Sequence, residues 1–356
     1  MSLDELRDKI DRTDEQILDL LLERGRIAQE IGRIKADKER PAYAPAREAE
    51  LLAALLSRDL SPLDAEAVAG VFREMISACR ALQTPLTVAY LGPEHTFTHA
   101  AAQKHFGQSC EFLSQPSVPD VFAAVEHAHA DLGVIPIQNS TEGVVGATLD
   151  CLLDTSLRIC AEIYVPVHHY LVARYALDEI RAVISHPQVL AQCRRWLRES
   201  LPGTEQIPTS STSAAAQAAA NQEGLAAISP LEAAEAHGLS VLAENIEDLP
   251  NNRTRFFVIG DLDPPPTGSD KTSVVFSTPH RAGALHQALA AFAQHGINLT
   301  LIQSRPARGK LWEYVFFVDF EGHADDESPA RALAELRDYC ALLKVLGSYP
   351  SQQADL

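Results

Sequence analysis

The sequence has few cysteines, and none is placed as a disulfide framework or a zinc site would require. Its six cysteines are scattered along 356 residues, with no CxxC pair. Such thiols are typical of a reducing compartment, where they serve mostly in packing. No apolar run reaches membrane length, and the N-terminus lacks the basic and apolar regions of a signal peptide. These absences predict a cytosolic protein without a membrane span.

Positive charge is also scarce. Thirty Lys and Arg residues face 48 Asp and Glu residues, giving a formal net charge of −18. This balance argues against nucleic acid or an anionic membrane as the main partner. The 13 histidines include the pairs His95/His99 and His168/His169. No carboxylate or cysteine at ligand spacing completes either pair, so we expect no metal.

The length and ordinary composition predict two or three domains with true hydrophobic cores. Residues 2–83 read as helical, because apolar residues recur mostly at intervals of three, four or seven. The first helix runs about 35 residues, or about 50 Å. A helix of this length is too long for a small domain on its own, so we expect it to pair with a second chain. Two more helices are predicted near 45–58 and 63–82.

From Leu86 the pattern changes to short strand-like runs that alternate with helical stretches, which predicts an α/β domain with largely parallel sheets. The runs are 87–91, 133–137, 158–165, 168–173, 181–185, 225–229 and 255–259. Residues 261–270 contain three prolines with Gly and Ser and predict a linker. The tail has the βαββαβ order of a ferredoxin-like domain: strand 272–278, helix 282–294, strand 297–304, strand 311–320, helix 327–341 and strand 344–349.

Thr254 stands between two arginines, Arg253 and Arg255, just before the apolar run of a strand. Each guanidinium can bind a carboxylate through paired hydrogen bonds, and the hydroxyl can bond to a departing oxygen. The pattern suits a substrate that carries carboxylates and loses a hydroxyl. A polar turn leading into a buried strand is the alternative interpretation.

Basic residues also mark the long helix. Arg24 and Lys35 are eleven residues apart and share one helix face, whereas Arg7 lies about 25 Å from Arg24 along the axis. One compact anion cannot contact both Arg7 and Arg24 of a straight helix. An antiparallel partner helix would bring Arg7 of the other chain close, although spacing alone favours a solvated charged face.

Three sets of motifs resemble known families. Those similar to the all-helical chorismate mutases are Leu6–Ile10, Leu22–Arg24, Ile31–Lys35 and Pro45–Glu48. Those similar to prephenate dehydratase are Gly92–Thr98, Pro136–Ser140, Ser185–Gln188, Ser211–Ala214 and Asn252–Phe256. Gly283–His286 and Gln303–Pro306 resemble an ACT regulatory domain. The three occur in this order in the bifunctional chorismate mutase–prephenate dehydratases, and the match covers about residues 3–350.

The resemblance implies a multidomain fold. Residues 1–84 would form an all-α mutase domain in an intertwined helical dimer. Residues 86–260 would form a two-lobed α/β dehydratase domain like the periplasmic binding proteins. After the linker at 261–270, residues 271–352 would form the ferredoxin-like βαββαβ ACT domain.

In the mutase, the resemblance implies that Lys35 and Gln83 are catalytic and donate to the ether oxygen of chorismate. The rearrangement is pericyclic, so the protein selects the compact conformer and stabilises charge on the breaking ether. Glu48 would orient the ring hydroxyl. The implied carboxylate-binding residues are Arg24 and Arg47 of one chain and Arg7 of the other.

In the dehydratase, the resemblance implies that Thr254 is the hydrogen-bond or proton donor to the departing hydroxyl. The other implied substrate contacts are Thr96, Asn139, Gln192, Ser211, Thr212, Arg255 and Phe256. Any of the polar ones could instead serve in a turn or cap, since Ser211–Ser213 also predicts the start of the alanine-rich helix. In the ACT domain, phenylalanine would bind between paired domains at Gly283, Ala284, Leu285, Asn298 and Gln303.

Five positions depart from the family patterns. Ala44 and Cys79 replace an aspartate and a serine of some mutases, and we expect reduced affinity at most. Gln138 stands for a glutamate and His95 for a glycine, which would impair the dehydratase if that glutamate were the proton donor or if the imidazole blocked the pocket. Gln303 also replaces a glutamate, so feedback by phenylalanine is expected to be weak.

The expected function is conversion of chorismate to prephenate and then to phenylpyruvate, without metal or organic cofactor, under phenylalanine feedback. The expected assembly is a homodimer, with a homotetramer left open. Two alternatives stand. One is an arogenate dehydratase. The other is an amino-acid-responsive binding module whose dehydratase has lapsed.

Overall fold

The structure is a computed structural model that describes residues 1–38, 41–307 and 314–352. It begins with three helices, α1 (Leu3–Asp37), α2 (Pro45–Leu56) and α3 (Ala65–Ala81). A capping box between Ser2 and Glu5 starts α1, which is 35 residues long as predicted. Both α1 and α2 pack against α3. Among the described residues, no helix has both the length and the apolar content needed to cross a membrane.

The first sheet of the second region has the strand order β2-β1-β3-β11-β5, with β4 paired to β3. Strands β2, β1 and β3 are parallel, whereas β11 runs antiparallel to both of its neighbours. The strands are β1 (Thr87–Leu91), β2 (Glu111–Gln115), β3 (Leu132–Asn139), β4 (Gly143–Val144), β5 (Arg158–Pro166) and β11 (Arg253–Gly260). The helices of this part are α4 (Phe97–Phe106), α5 (Val118–Glu126) and α6 (Gly146–Asp154).

The second sheet has the order β10-β6-β9-β7-β8. Its strands are β6 (Tyr170–Ala173), β7 (Ala182–Ser185), β8 (Glu205–Pro208), β9 (Leu225–Ser229) and β10 (Ser240–Ala243). Its helices are α7 (Pro187–Gln192), α8 (Arg194–Ser200), α9 (Thr212–Asn221) and α10 (Leu231–Ala236). Strands β7, β8 and β9 are parallel, but β6 and β10 are antiparallel to their neighbours. The prediction of largely parallel sheets is therefore corrected: each sheet is mixed, because the chain crosses between the sheets after β5 and again before β11.

The tail forms a four-stranded antiparallel sheet of order β13-β14-β12-β15. Its strands are β12 (Asp270–Ser277), β13 (Leu299–Pro306), β14 (Tyr314–Glu321) and β15 (Leu342–Pro350), with helices α11 (Ala284–Gln294) and α12 (Glu327–Tyr339). This confirms the ferredoxin-like βαββαβ prediction. Residues 311–313 of the predicted strand 311–320 lie outside the described residues.

The tail sheet packs directly on the first sheet of the second region. One apolar core contains Ile137, Ile159 and Phe257 of the first sheet together with Phe317 and Leu346 of the tail. At Gly347 the approach is so close that a Cβ would lie 2.1 Å from the carbonyl oxygen of Ile159. The two regions are therefore joined by backbone-to-backbone packing as well as by side chains.

Candidate active sites

Thr254 lies on β11 directly opposite Asn139 at the end of β3. The Asn139 Nδ2 donates to Thr254 Oγ1 at 2.9 Å and to Asn252 Oδ1 at 2.9 Å. The Asn139 Oδ1 accepts from the Thr141 backbone N at 3.0 Å, which fixes the amide orientation. Because Thr254 Oγ1 already accepts a hydrogen bond, its own proton is available to a group in front of it.

In front of Thr254 is a cavity of about 210 Å³ between the two sheets. Of the substrate contacts predicted from the sequence, the structure brings five together around it: Asn139, Gln192, Ser211, Thr212 and Thr254. Ser211 also caps α9 by accepting from the Ala214 backbone N at 3.0 Å. The same residue therefore serves as a helix cap and lines the cavity. The residues that were not predicted as contacts but line the cavity are Phe97, Val167, His169, His186, Gln188, Val189 and Ser210.

Gln192 joins the two sides of this cavity. Its Nε2 donates to Glu142 Oε1 at 2.8 Å and to Thr141 Oγ1 at 3.2 Å. These hydrogen bonds connect α7 to the segment that follows β3. Its Oε1 lies 2.7 Å from the Nε2 of His169. Burial lowers the pKa of His169, with the Gln192 hydrogen bond and Glu247 acting in the opposite direction. A neutral imidazole that donates from Nε2 fits this contact.

Three predicted contacts lie elsewhere. Thr96 caps α4 and donates from Oγ1 to the Pro93 carbonyl at 3.0 Å. Phe256 is 1% exposed and belongs to the core beneath Thr254. The side chain of Arg255 is bonded to Glu162 on β5 and to Asp319 and Tyr349 of the tail, because neighbouring strand residues point to opposite faces. The expectation that Arg255 binds a substrate carboxylate is corrected accordingly.

The structure locates two of the positions that depart from the family patterns, His95 and Gln138. His95 has φ +61°, a backbone conformation that glycine adopts without strain, so the family's glycine preference has a local reason here. The backbone N of His95 donates to His99 Nδ1 at 3.0 Å, and its imidazole is not among the residues that line the cavity. Gln138 lies on β3 between Arg255 on β11 and Val144 on β4. Their effect on turnover stays a prediction.

The mutase candidates form a second cluster around α1 and α2. Lys35 Nζ donates to the Ala42 carbonyl at 2.8 Å, and Arg24 Nη1 donates to the Met75 carbonyl at 3.3 Å. Gln83 packs on the backbone of α1 at Gly32, where a Cβ would meet it at 3.0 Å. Within the described part of the chain, Gln83 Oε1 is a buried atom without a hydrogen-bond partner.

Glu48 is held by Arg80, a residue that the sequence did not single out. The Arg80 Nη1 donates to Glu48 Oε1 at 2.7 Å, and its Nη2 donates to the Phe106 carbonyl at 2.6 Å. Burial raises the pKa of Glu48, while Arg80, Lys35 and Arg24 oppose that rise. These three cations therefore lie close enough to Glu48 to affect its charge.

Arg7 and Arg47 stand apart from this cluster. Arg47 pairs with Glu50 at 3.2 Å, and its side chain is 73% exposed. Arg7 pairs with Asp4 at 3.4 Å near the start of α1, and its side chain is 66% exposed. Within one chain Arg7 does not reach Lys35, as its position along the helix predicts.

In the tail, Gly283 takes φ +77° as the residue before α11, and Ala284 begins the helix. Asn298 Nδ2 donates to Glu321 Oε1 at 3.0 Å, and Gln303 Nε2 donates to the Ser304 carbonyl at 3.3 Å. The role of these residues, and of Leu285, in binding an effector stays a prediction.

A helical region, a two-sheet region with a polar cavity and a ferredoxin-like tail define a multidomain protein, and the family models match the same three parts. The model for type II chorismate mutase matches residues 6–84, that for prephenate dehydratase residues 88–264, and that for the ACT domain residues 272–338.

A bifunctional chorismate mutase/prephenate dehydratase from Aquifex aeolicus is 45% identical over 353 residues, covering 98% of this chain and 98% of that protein. One from Pseudomonas aeruginosa is 44% identical, covering 97% and 96%. The solved structure of prephenate dehydratase from Arthrobacter aurescens in complex with L-Phe is 40% identical, with a TM-score of 0.70 over 75% of this chain and 90% of that one. The chain belongs to the bifunctional chorismate mutase/prephenate dehydratase family.

Proposed function

We propose that this chain rearranges chorismate to prephenate in its helical domain and converts prephenate to phenylpyruvate in its two-sheet domain. One observation carries the dehydratase half most directly: Thr254, held by Asn139, faces a polar cavity between the sheets. The proposed domains are residues 1–84, 86–260 and 271–352, joined by the linker at 261–270. Both substrates are soluble anions, and we place the enzyme in the cytosol.

In the dehydratase step, prephenate loses its ring hydroxyl and its ring carboxylate together. The electron pair of the breaking carbon–carbon bond enters the ring as CO₂ leaves, and the hydroxyl departs as water with one proton. Thr254 supplies that proton or a strong hydrogen bond, because Asn139 already occupies an acceptor site of its oxygen. Thr254 then recovers its proton from solvent or from another group in the cavity.

The cavity binds the substrate with neutral groups. Among the described residues that line it there is no Lys or Arg. Ser211 and Thr212 stand at the start of the ten-residue helix α9, whose backbone N–H groups and dipole suit a carboxylate. A carboxylate without a paired cation gains more by leaving as neutral CO₂ than one held in an ion pair. The two sheets would close on the substrate in the manner of periplasmic binding proteins, with Gln192 bridging them.

In the mutase step, Lys35 and Gln83 donate to the ether oxygen, while Arg24 and Arg47 bind carboxylate. The site is completed by Arg7 of the partner subunit. The exposed surface of α1 supports this second chain, because Gly25 and Ala28 are the only buried residues of the helix. An apolar cavity of about 910 Å³, lined by residues such as Ile17, Leu20 and Leu21, opens beside it. A second α1 would cover this surface, which makes a homodimer the smallest complete mutase.

Phenylalanine is the proposed effector of the ACT domain, by likeness to the Arthrobacter aurescens enzyme in complex with L-Phe. The left-handed turn at Gly283 places the first backbone N–H groups of α11 where an amino-acid carboxylate can bind. Asn298 and Gln303 would contact the same ligand. Gln303 lacks the negative charge of glutamate, so feedback is proposed to be weak. Micromolar binding of phenylalanine in a calorimetric titration would contradict that weakness.

The test of the whole proposal is an end-point assay in which chorismate is the only substrate and prephenate and phenylpyruvate are quantified separately. Accumulation of phenylpyruvate supports both sites and shows that Gln138 and His95 are tolerated. Prephenate without phenylpyruvate would favour a lapsed dehydratase that serves as a binding module. A parallel assay with arogenate, read as phenylalanine formed, separates the arogenate dehydratase alternative.

A further inference from the structure

Behind Thr254, on the face of β11 away from the cavity, lies a group of buried polar residues that we call the junction cluster. Its members are Arg255 and Glu162 of the two-sheet domain and Lys271, Ser273, Asp319 and Tyr349 of the ACT domain. Two cations face two anions in it, so the charges balance. Removing one charged residue from such a cluster strongly destabilises the folded protein, because the remaining charge is then buried and unpaired.

Arg255 is at the centre of the junction cluster. Its side chain is 6% exposed. Its Nε donates to Glu162 Oε2 at 2.9 Å, its Nη1 to Asp319 Oδ2 at 2.5 Å, and its Nη2 to the Tyr349 hydroxyl at 3.0 Å. These contacts orient every nitrogen of the guanidinium, which makes Arg255 unsuited to bind a substrate as well.

The ACT side of the cluster is itself fixed. The Ser273 hydroxyl donates to Asp319 Oδ1 at 2.6 Å and lies 2.7 Å from the Tyr349 hydroxyl. Lys271 Nζ donates to Glu162 Oε1 at 2.9 Å. Asp319 stands on β14 in register with Ser273 on β12 and with Leu301 on β13. A displacement of the ACT sheet therefore moves the carboxylate that holds Arg255.

The pairing between β3 and β11, the strand that carries Thr254 and Arg255, has an irregularity at this point. Arg255 is opposite Gln138 but Phe256 is opposite Pro136, so the extra residue, Ile137, lies on β3. Bulges of this kind turn a side chain locally and loosen the ladder, and they are frequent next to active sites. Arg255 follows Thr254 directly on β11, so the anchoring of the Arg255 side chain contributes to the position of Thr254.

We propose that Arg255 is a positioning residue, through which Asp319 and Tyr349 of the ACT domain hold Thr254 in place in the dehydratase cavity. The inference rests on the proposed role of Thr254. In this proposal Arg255 positions Thr254 and does not bind the substrate. It also gives the ACT domain a part in catalysis when no effector is bound.

The test uses the full-length enzyme with prephenate as substrate and compares three variants: Asp319→Asn, Tyr349→Phe and Arg255→Lys. A displacement of about 1 Å at a reacting group costs up to about 10²-fold in rate. We expect Asp319→Asn to lower the dehydratase kcat about tenfold with KM within about twofold, and Tyr349→Phe to do the same more weakly. Chorismate mutase turnover, measured on the same samples, should stay within about twofold.

A matched control is Glu327→Gln, which removes a carboxylate from an exposed ion pair with Arg331 on α12 of the same domain. It should leave both activities unchanged. If Arg255→Lys does not fold, the Asp319 and Tyr349 variants carry the test. If it folds, its effect combined with Asp319→Asn should be less than the product of the single effects, because both act through one contact.

Two results would overturn the inference. One is a wild-type kcat in Asp319→Asn and Tyr349→Phe while Thr254→Ala is inactive. The other is an Arg255→Lys variant with raised KM and unchanged kcat, which would return Arg255 to substrate binding. Full turnover by Thr254→Ala would instead defeat the proposed role of Thr254, and this inference with it.

Discussion

The helix α1 leaves apolar residues exposed, whereas the junction cluster buries charged residues. On α1, Leu20 is 65% exposed and Ile10 60%, although both are apolar. In the junction cluster, Glu162 and Asp319 are 0% and 3% exposed, although both are charged. Each arrangement is costly unless a partner compensates for it. The described residues of one chain supply this compensation for the junction cluster, but they supply none for the exposed apolar residues of α1.

This difference indicates that the two active sites of one chain have different requirements. In our proposal, the mutase site is incomplete until a second chain covers α1 and supplies Arg7. The proposed dehydratase site, in contrast, needs only one chain, provided that the ACT domain of the same chain packs behind β11. The following predictions test these two requirements, beginning with the largest expected effect.

Thr254→Ala should lower the dehydratase kcat about 10³-fold, because it removes the only group we assign to donate to the departing hydroxyl. Thr254→Ser keeps the hydroxyl and should retain most of the activity. The mutase rate should be unchanged in both, since Thr254 lies in another domain. Steady-state assays with prephenate and with chorismate measure both rates. Equal activity of the Ala and Ser variants would contradict the role of the hydroxyl.

Arg80→Met should destabilise the mutase-to-dehydratase contact by about 2 kcal/mol, because it leaves the partly buried Glu48 without its partner at 2.7 Å and frees the Phe106 carbonyl. Urea unfolding followed by circular dichroism measures the change. The matched control is Arg331→Met on the exposed ion pair of α12, which should cost less than about 1 kcal/mol. A similar loss in both variants would show that the Arg80 contact contributes little.

His105 predicts a pH dependence at the same contact. It lies 2.6 Å from the Tyr43 hydroxyl, and burial, with smaller effects of Arg80 and Arg73, lowers its pKa to about 3. Between pH 6.5 and 3 the unfolded chain binds a proton at His105 that the folded chain does not. Stability is therefore lost as pH falls through 6.5, by up to about 1.4 kcal/mol per pH unit.

His105→Gln keeps a hydrogen-bonding group beside Tyr43 but cannot titrate. Its stability should fall by about 2 kcal/mol less than that of the wild type between pH 6.5 and pH 5. Urea unfolding at the two pH values gives the comparison, and His127→Gln on an exposed turn serves as the control. Parallel pH profiles of the wild type and His105→Gln would refute the depressed pKa.

The sequence predicted the elements better than their arrangement. The helices and the ferredoxin-like tail follow from hydrophobic periods of 3.6 and 2, which local packing preserves. The short strands β2, β4, β8 and β10 were missed. The exposed positions of β2 and β8 at sheet edges weaken the apolar pattern. Strand direction in the mixed sheets depends on where the chain crosses between them, and no local pattern encodes that.

For the site, the family resemblance pointed to five residues that line the cavity. Arg255 shows a signal that was available but not used: alternation along a strand places it on the face opposite Thr254. Its partners Asp319 and Tyr349 are 64 and 94 positions away in sequence, beyond the reach of local patterns. His169 and Arg80 likewise owe their positions to tertiary contacts alone.

A complementation assay on purified heterodimers, in which the two chains carry different tags, tests the central claim most directly. Arg7→Ala paired with Lys35→Ala should leave one mutase site intact, because each proposed site takes Arg7 from one chain and Lys35 from the other. We predict about half of the wild-type mutase activity, against little in either homodimer. Thr254→Ala paired with Asp319→Asn should show no dehydratase gain over the mean of the two homodimers. A mutase that stays inactive, or a dehydratase that is rescued, would contradict the account.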